Sequence, residues 1–173
     1  MKSLLVTFLV ISSFMTCLGQ TPPNGPEVTD PEWNAYDIET VVEGFNIPWG
    51  LAVLSDGSML ITEKSGELIH FKNGQKTKIG GLPEISSKGQ GGLLDVVLHP
   101  NFKNNKLVYI SYASARGTGK GSHTAIGRGK LEGSQLVNFE KLYKASPNSE
   151  AGQHFGSRIA FDKDGYLFFT IGE

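Results

Sequence analysis

Residues 51–62, LAVLSDGSMLIT, and residues 159–170, IAFDKDGYLFFT, are two copies of one pattern. Laid over each other, Asp56 falls on Asp164, Gly57 on Gly165 and Thr62 on Thr170, and the apolar positions on both sides correspond. Each copy is an apolar segment, an Asp-Gly pair and a second apolar segment. Glycine takes positive φ without steric cost, so the pair predicts a tight turn and each copy a β-hairpin. A looser copy lies between them at 93–113, LLDVVLHPNFKNNKLVYISYA, with equally apolar strands around the longer turn HPNFKNNK.

Working outward, further candidate strands follow each hairpin. GELIHFKNG and QKTKIGGL come after the first, SHTAIGRGKLEG and SQLVNFEKLYKA after the middle one. The repeating unit is therefore about four short strands over roughly 45–60 residues, the content of a propeller blade. A closed propeller takes about four to eight blades. The chain is read as all-β, holding two blades and the first hairpin of a third in 38–173, and is expected to be an N-terminal fragment of a larger propeller. The alternative is a stand-alone β-sandwich, which leaves the last strand pair without partners of its own.

The bulk numbers are consistent with this. At 173 residues the chain can bury one sizeable core. Sixteen Lys and Arg against 17 Asp and Glu leave a formal charge of -1, which gives no electrostatic case for nucleic acid or an anionic membrane as partner. The 22 glycines suit many short strands joined by tight turns. Residues 1–19 have Lys2, an apolar run from Leu4 through Val10 to Met15, then small residues, the layout of a secretory signal peptide cleaved after Gly19. That run is short for a transmembrane helix, so no stable membrane span is expected and the protein is read as secreted or periplasmic. A lipid on Cys17 is the other option, although Phe14-Met15-Thr16 is a poor lead-in for one. If the single cysteine, Cys17, leaves with the signal, disulfides contribute nothing. Residues 20–37 read as a Pro-rich leader.

Three stretches carry a family resemblance: IPWGLAVLSDGSMLITEKSGEL (47–68), GQGGLLDVVLHPNF (89–102) and HFGSRIAFDKDGYLFFTIGE (154–173). They resemble the soluble pyrroloquinoline-quinone (PQQ)-dependent sugar dehydrogenases, the aldose sugar dehydrogenase branch above all, in order and over nearly all of 40–173. The resemblance implies a six-bladed propeller, of which this chain holds the first two blades and the start of a third. It implies PQQ in a wide cleft near the central axis, Ca2+ beside it, and oxidation of the C1 hydroxyl of an aldose sugar to the lactone, with an external electron acceptor. By position, His154 matches the family's catalytic base. Gln90 matches a polar residue at the mouth of the site, near sugar and cofactor. Gln153 occupies a position that is acidic in some relatives, which leaves open how the base is oriented. The family's cofactor-clamping basic residues and calcium ligands lie in later blades, so no metal ligand is assigned here.

The residues also speak for themselves. Removing a hydride from C1 of a sugar needs a base for the departing hydroxyl proton, and a neutral imidazole is suited to it. His154 lies in the loop before a strand, and such loops of successive blades converge on one face. A lone loop histidine is, on its own, more often a surface residue. The glycines around Gln90 could let backbone approach a ligand, or could simply make a turn. Arg158, at a strand start, could bind an anionic cofactor or anchor its blade. Glu63 could line the cleft or brace a turn. His99 is expected on the opposite face in a structural role, His70 and His123 within strands, and Trp49 packed between blades. Two other functions stay open: a metal-dependent lactonase, for which Glu63 is the sole candidate ligand, and a propeller that binds carbohydrate or protein without catalysis. A two-blade piece with half a cleft is expected to be inactive alone.

Overall fold

The computed structural model describes residues 39–172. The signal, leader and Cys17 readings lie outside the described residues. The chain divides after Thr40, and the architecture below belongs to the unit from Val41 onward. It is all-β apart from one short helix. The first sheet comprises β1 (Pro48–Val53), β2 (Met59–Glu63), β3 (Glu67–Lys72) and β4 (Gln75–Ile79). The second comprises β5 (Leu93–Leu98), β6 (Leu107–Ser114), β7 (His123–Glu132) and β8 (Gln135–Lys144), with α1 (Phe102–Asn105) between β5 and β6. A third, two-stranded sheet pairs β9 (Ile159–Phe161) with β10 (Leu167–Phe169). Each sheet is an antiparallel meander in chain order, and β5 packs between β1 and β9. First strands packed side by side are blade architecture, whereas a sandwich needs strands that cross between two sheets.

The two sequence copies are the same object in space. In the first hairpin the Leu54 N–H donates to the Ser58 carbonyl and the Gly57 N–H to the Leu54 carbonyl, at 2.8 and 2.9 Å. In the last, Asp162 and Gly165 donate to the Tyr166 and Asp162 carbonyls, at 3.1 and 3.2 Å. Gly57 and Gly165 have φ of +80° and +86°, and an added Cβ would meet nothing within 4 Å. Backbone conformation, not space, demands glycine there. Asp56 closes its turn by accepting from the Ser58 N–H and hydroxyl. The Lys72 ammonium and these Ser58 bonds hold its carboxyl below the usual carboxylate range.

The matched threonines have a geometric cause. β1 and β5 each shift register near their start. At each of the three inner strands, one N–H turns away from the ladder to a hydroxyl on the neighbouring strand. Gly50 donates to Thr62 at 2.7 Å, Asp95 to Ser111 at 2.8 Å and Arg158 to Thr170 at 3.0 Å. Ser111 is thus the equivalent residue in the looser middle copy. Thr62 is fully buried and its hydroxyl also donates to the Leu94 carbonyl of the next sheet, at 2.5 Å. Thr62→Val keeps the shape and orphans both groups, so it is expected to cost about 1–3 kcal/mol in denaturant unfolding. Thr170→Val, at an exposed position with one bond, is expected to cost less.

The inner strands of the second sheet are buried on both faces. Leu60, Leu68, Leu93, Val96, Val108, Ile110 and their neighbours form the core between the first two sheets. Tyr109, Ile126 and Ile159 form a second cluster, against which Phe161, Leu167 and Phe169 of the third sheet pack. Accordingly β5 and β6 read as nearly continuous apolar runs, and the one charged residue in them is Asp95, 3% exposed. Its carboxylate accepts from the Val96 N–H at 3.0 Å, the Ile159 N–H at 2.9 Å and the Arg158 guanidinium at 3.3 Å. One buried carboxylate therefore ties β9 to β5. Gly50 supplies the matching close approach on the other side: a Cβ there would lie 2.9 Å from the Leu94 carbonyl oxygen.

The turn bearing His99 is at the opposite end of β5 from the loop that carries Gln90. His99 Nδ1 accepts from the Asn101 N–H at 2.9 Å, and the ring packs against Tyr109 and Phe161. Its role is structural. His70 and His123 lie in β3 and β7, with His70 bonded to the Ser58 hydroxyl. No helix among the described residues is long and apolar enough to cross a membrane.

Candidate active site

The loops before β1, β5 and β9 and the turn after β2 gather at one end of the sheets. There they line an open cavity of about 390 Å³ to which all three sheets contribute. The first supplies Ile47, Trp49 and Lys64; the second, Gln90 and Leu94; the third, His154, Phe155 and Gly156. His154 and Gln90 thus come together, as the sequence reading needs. Gln153 is exposed in the same loop but is not among the lining residues, and neither is Arg158.

His154 has φ of +58°, in the left-handed region that residues with a Cβ seldom adopt. Its loop is bracketed by Gly152 and Gly156, both at +64°. The His154 N–H donates to Gln90 Oε1 at 2.9 Å, and the Gln90 N–H donates to the Gly152 carbonyl at 2.7 Å. Next door, the buried Phe155 offers its carbonyl to the Thr124 hydroxyl at 2.5 Å and the Ser157 hydroxyl at 3.1 Å. The His154 side chain is exposed and makes no hydrogen bond to another described residue. The point and direction from which it leaves the chain are therefore set through the backbone, and among the described residues no carboxylate bonds the ring.

The glycines of 89–92 are pressed against the protein's own backbone, not held open for a ligand. A Cβ on Gly89 would lie 2.2 Å from the Gly152 carbonyl oxygen, and one on Gly92 2.2 Å from that of Lys64. They let the β4–β5 loop sit close to both neighbouring sheets. Arg158 stacks its guanidinium over the Trp49 ring, 4.7 Å from the centroid, while pairing with Asp95. It supports a residue of the cavity wall from outside. Glu63, buried, accepts from the N–H groups of Asn46 and Ile47 and so shapes the segment that brings Ile47 to the cavity. Among the described residues no group of three or more His, Cys, Asp or Glu side chains is placed to hold a metal ion.

Of the lining residues that escape the sequence reading, Trp49 and Lys64 bear most on chemistry. Trp49 was expected only as packing. Lys64 follows directly on β2, so it projects at the same end of the sheet as the His154 loop, and its Nζ donates to the Ser87 carbonyl at 3.1 Å. The signal that could have found it is strand direction, since the residue after β2 must lie at the end where β1 begins.

The family model for glucose/sorbosone dehydrogenases matches residues 45–173. The chain belongs to the glucose/sorbosone dehydrogenase family. Among relatives of this family, aldose sugar dehydrogenase YliI of Escherichia coli (strain K12) is 39% identical over 142 residues, covering 79% of this chain and 38% of the relative. The apo crystal structure of the soluble aldose sugar dehydrogenase from Escherichia coli superposes with a TM-score of 0.70 at 40% identity, covering 75% of this chain and 38% of that one. The PQQ-bound form of aldose sugar dehydrogenase from Streptomyces coelicolor gives 0.65 at 32% identity, covering 79% and 41%. The chain thus spans about two-fifths of the length of these family members.

Proposed function

We propose that the protein is a quinoprotein dehydrogenase that oxidises the C1 hydroxyl of an aldose to the lactone, with PQQ as cofactor and an external electron acceptor. The observation that carries this reading is an unpaired imidazole held by its backbone at a cavity shared by three sheets. The lining fits the cofactor's chemistry. Trp49, Phe155, Ile47 and Leu94 offer apolar and aromatic surface to a flat ring system, Lys64 offers a cation to its carboxylates, and no carboxylate lines the cavity. When bound, the quinone supplies the acceptor for the hydride that leaves C1. The chain's own part is placement and proton transfer. His154 takes the hydroxyl proton as the C1–H bond breaks, so the sugar loses two electrons and two hydrogens in all. Calcium finds no ligand cluster among the described residues, and no step is assigned to it.

The whole protein is proposed to close as a six-bladed propeller. In support, Leu51 and Val53 on β1 and Phe168 on β10 stand 56%, 58% and 59% exposed on the two outermost sheets, apolar surface that further blades would cover. The layout of residues 1–19 supports export to the periplasm or outside the cell, with a lipid on Cys17 as the variant. The mass of the mature N-terminus distinguishes these.

The test is reconstitution of the full-length protein with PQQ and calcium, followed by aldose-dependent reduction of a dye. Reduction that requires both quinone and aldose is expected. A folded protein that turns over no aldose would sink this reading in favour of a binding propeller.

A further inference from the structure

We infer that Gln90 is a positioning residue for His154, gripping the histidine's backbone with its side-chain oxygen rather than serving only as a contact for sugar or cofactor. The inference rests, for its catalytic consequence, on the dehydrogenase reading above; the grip itself does not.

The argument starts from the conformation of His154. A left-handed backbone is disfavoured for a residue with a Cβ, and it persists only where its surroundings over-determine it. Here they do. Gln90 makes two bonds to the loop, N–H to the Gly152 carbonyl at 2.7 Å and Oε1 to the His154 N–H at 2.9 Å. On the C-terminal side, Phe155 is held through its carbonyl by Thr124 and Ser157. Behind the loop, the segment that follows β10 passes so close that a Cβ on Gly172 would lie 1.4 Å from the His154 carbonyl oxygen. Of these constraints, only the Gln90 side chain bonds the His154 peptide N–H. The bond also fixes the amide's orientation, because only Oε1 can accept from a main-chain N–H. Gln90 and His154 come from different sheets, 64 residues apart, so the Gln90 side chain ties the direction of the His154 Cα–Cβ bond to the neighbouring blade's loop.

Two substitutions separate gripping from ligand binding. Gln90→Met keeps the length and removes both acceptor and donor. Gln90→Glu keeps an acceptor for the His154 N–H and removes the amide donor. The full-length protein is used for both, with hydrogen exchange of the segment 152–156 measured without cofactor and steady-state kinetics measured with it. In Gln90→Met, exchange at the His154 amide is expected to quicken about 10-fold or more. The kcat is expected to fall about 10- to 100-fold with KM for aldose within about twofold, since misplacing a group by about 1 Å costs rates of that order. In Gln90→Glu, exchange protection should return and most of the lost kcat with it. Unchanged exchange in Gln90→Met would overturn the grip. Gln90→Glu that protects the loop yet loses kcat as Gln90→Met does would also overturn the proposal, by showing that the amide donor acts as a ligand. If wild-type protein oxidises no aldose while the exchange pattern holds, the grip stands and the dehydrogenase reading falls.

Discussion

His154→Ala is expected to lower the kcat of the quinone-loaded, full-length protein by about 10²- to 10⁴-fold, the range a positioned general base contributes. The same substitution should leave unfolding within about 0.5 kcal/mol of wild type, because it removes no packing or side-chain hydrogen bond. What the loop needs from His154 is its peptide N–H, which any residue retains. The φ of +58° adds one complication, since alanine is strained there. His154→Asn answers it: asparagine tolerates the left-handed region and supplies no base. Equal losses in the two variants, with quinone still bound by absorbance and partial recovery on adding free imidazole, would assign the loss to the ring. Retained kcat with weakened quinone binding would instead make His154 a cofactor contact.

How much of this could be read without coordinates follows from how local each interaction is. The hairpins at 51–62 and 159–170 were legible because a turn of four residues encodes itself through Asp-Gly. Thr62 and Thr170 were visible as matches but unexplained, because their partners are main-chain N–H groups across the hairpin, Gly50 at a register shift in β1 and Arg158 just before β9. Ser111 was invisible, since the middle copy has a different turn and the equivalence appears only through pairing. The face on which His154 sits followed from counting strand directions, and the same count would have placed Lys64 there. The Gln90–His154 bond could not be counted, as it spans 64 residues and depends on how two sheets approach. The glycines beside Gln90 were read as letting backbone approach a ligand or as a plain turn; the group they approach is backbone from the adjacent sheets. The role of Arg158 was half legible: LLDVVL places a carboxylate inside an apolar strand, and a buried carboxylate demands partners. Looking for a donor to Asp95 would have led to Arg158 and the start of β9.

That carboxylate carries the largest stability effect expected. Asp95→Ala should destabilise the full-length protein by about 3 kcal/mol, measured by denaturant unfolding, because hydrogen bonds to a charged group are worth about 1.5–3 kcal/mol each and the Ile159 N–H is left unpaired. Arg158→Ala should cost about 1 kcal/mol or less, although it removes the other half of the same ion pair. The asymmetry is one of burial: the Asp95 side chain is 5% exposed and the Arg158 side chain 67%. Water reaches the guanidinium and screens it, while the carboxylate keeps its two main-chain donors when Arg158 is gone. An ordinary buried ion pair can often be replaced by apolar residues without loss. Asp95 should differ, because the groups it satisfies are peptide N–H groups that no side-chain substitution can delete. Asp95→Leu is therefore expected to be about as damaging as Asp95→Ala, despite filling the space. If leucine restored stability, the carboxylate would be serving only the arginine, and β9 would be held to β5 by packing alone. If it does not, the start of the third sheet, and with it the loop that presents His154, depends on a carboxylate in the second.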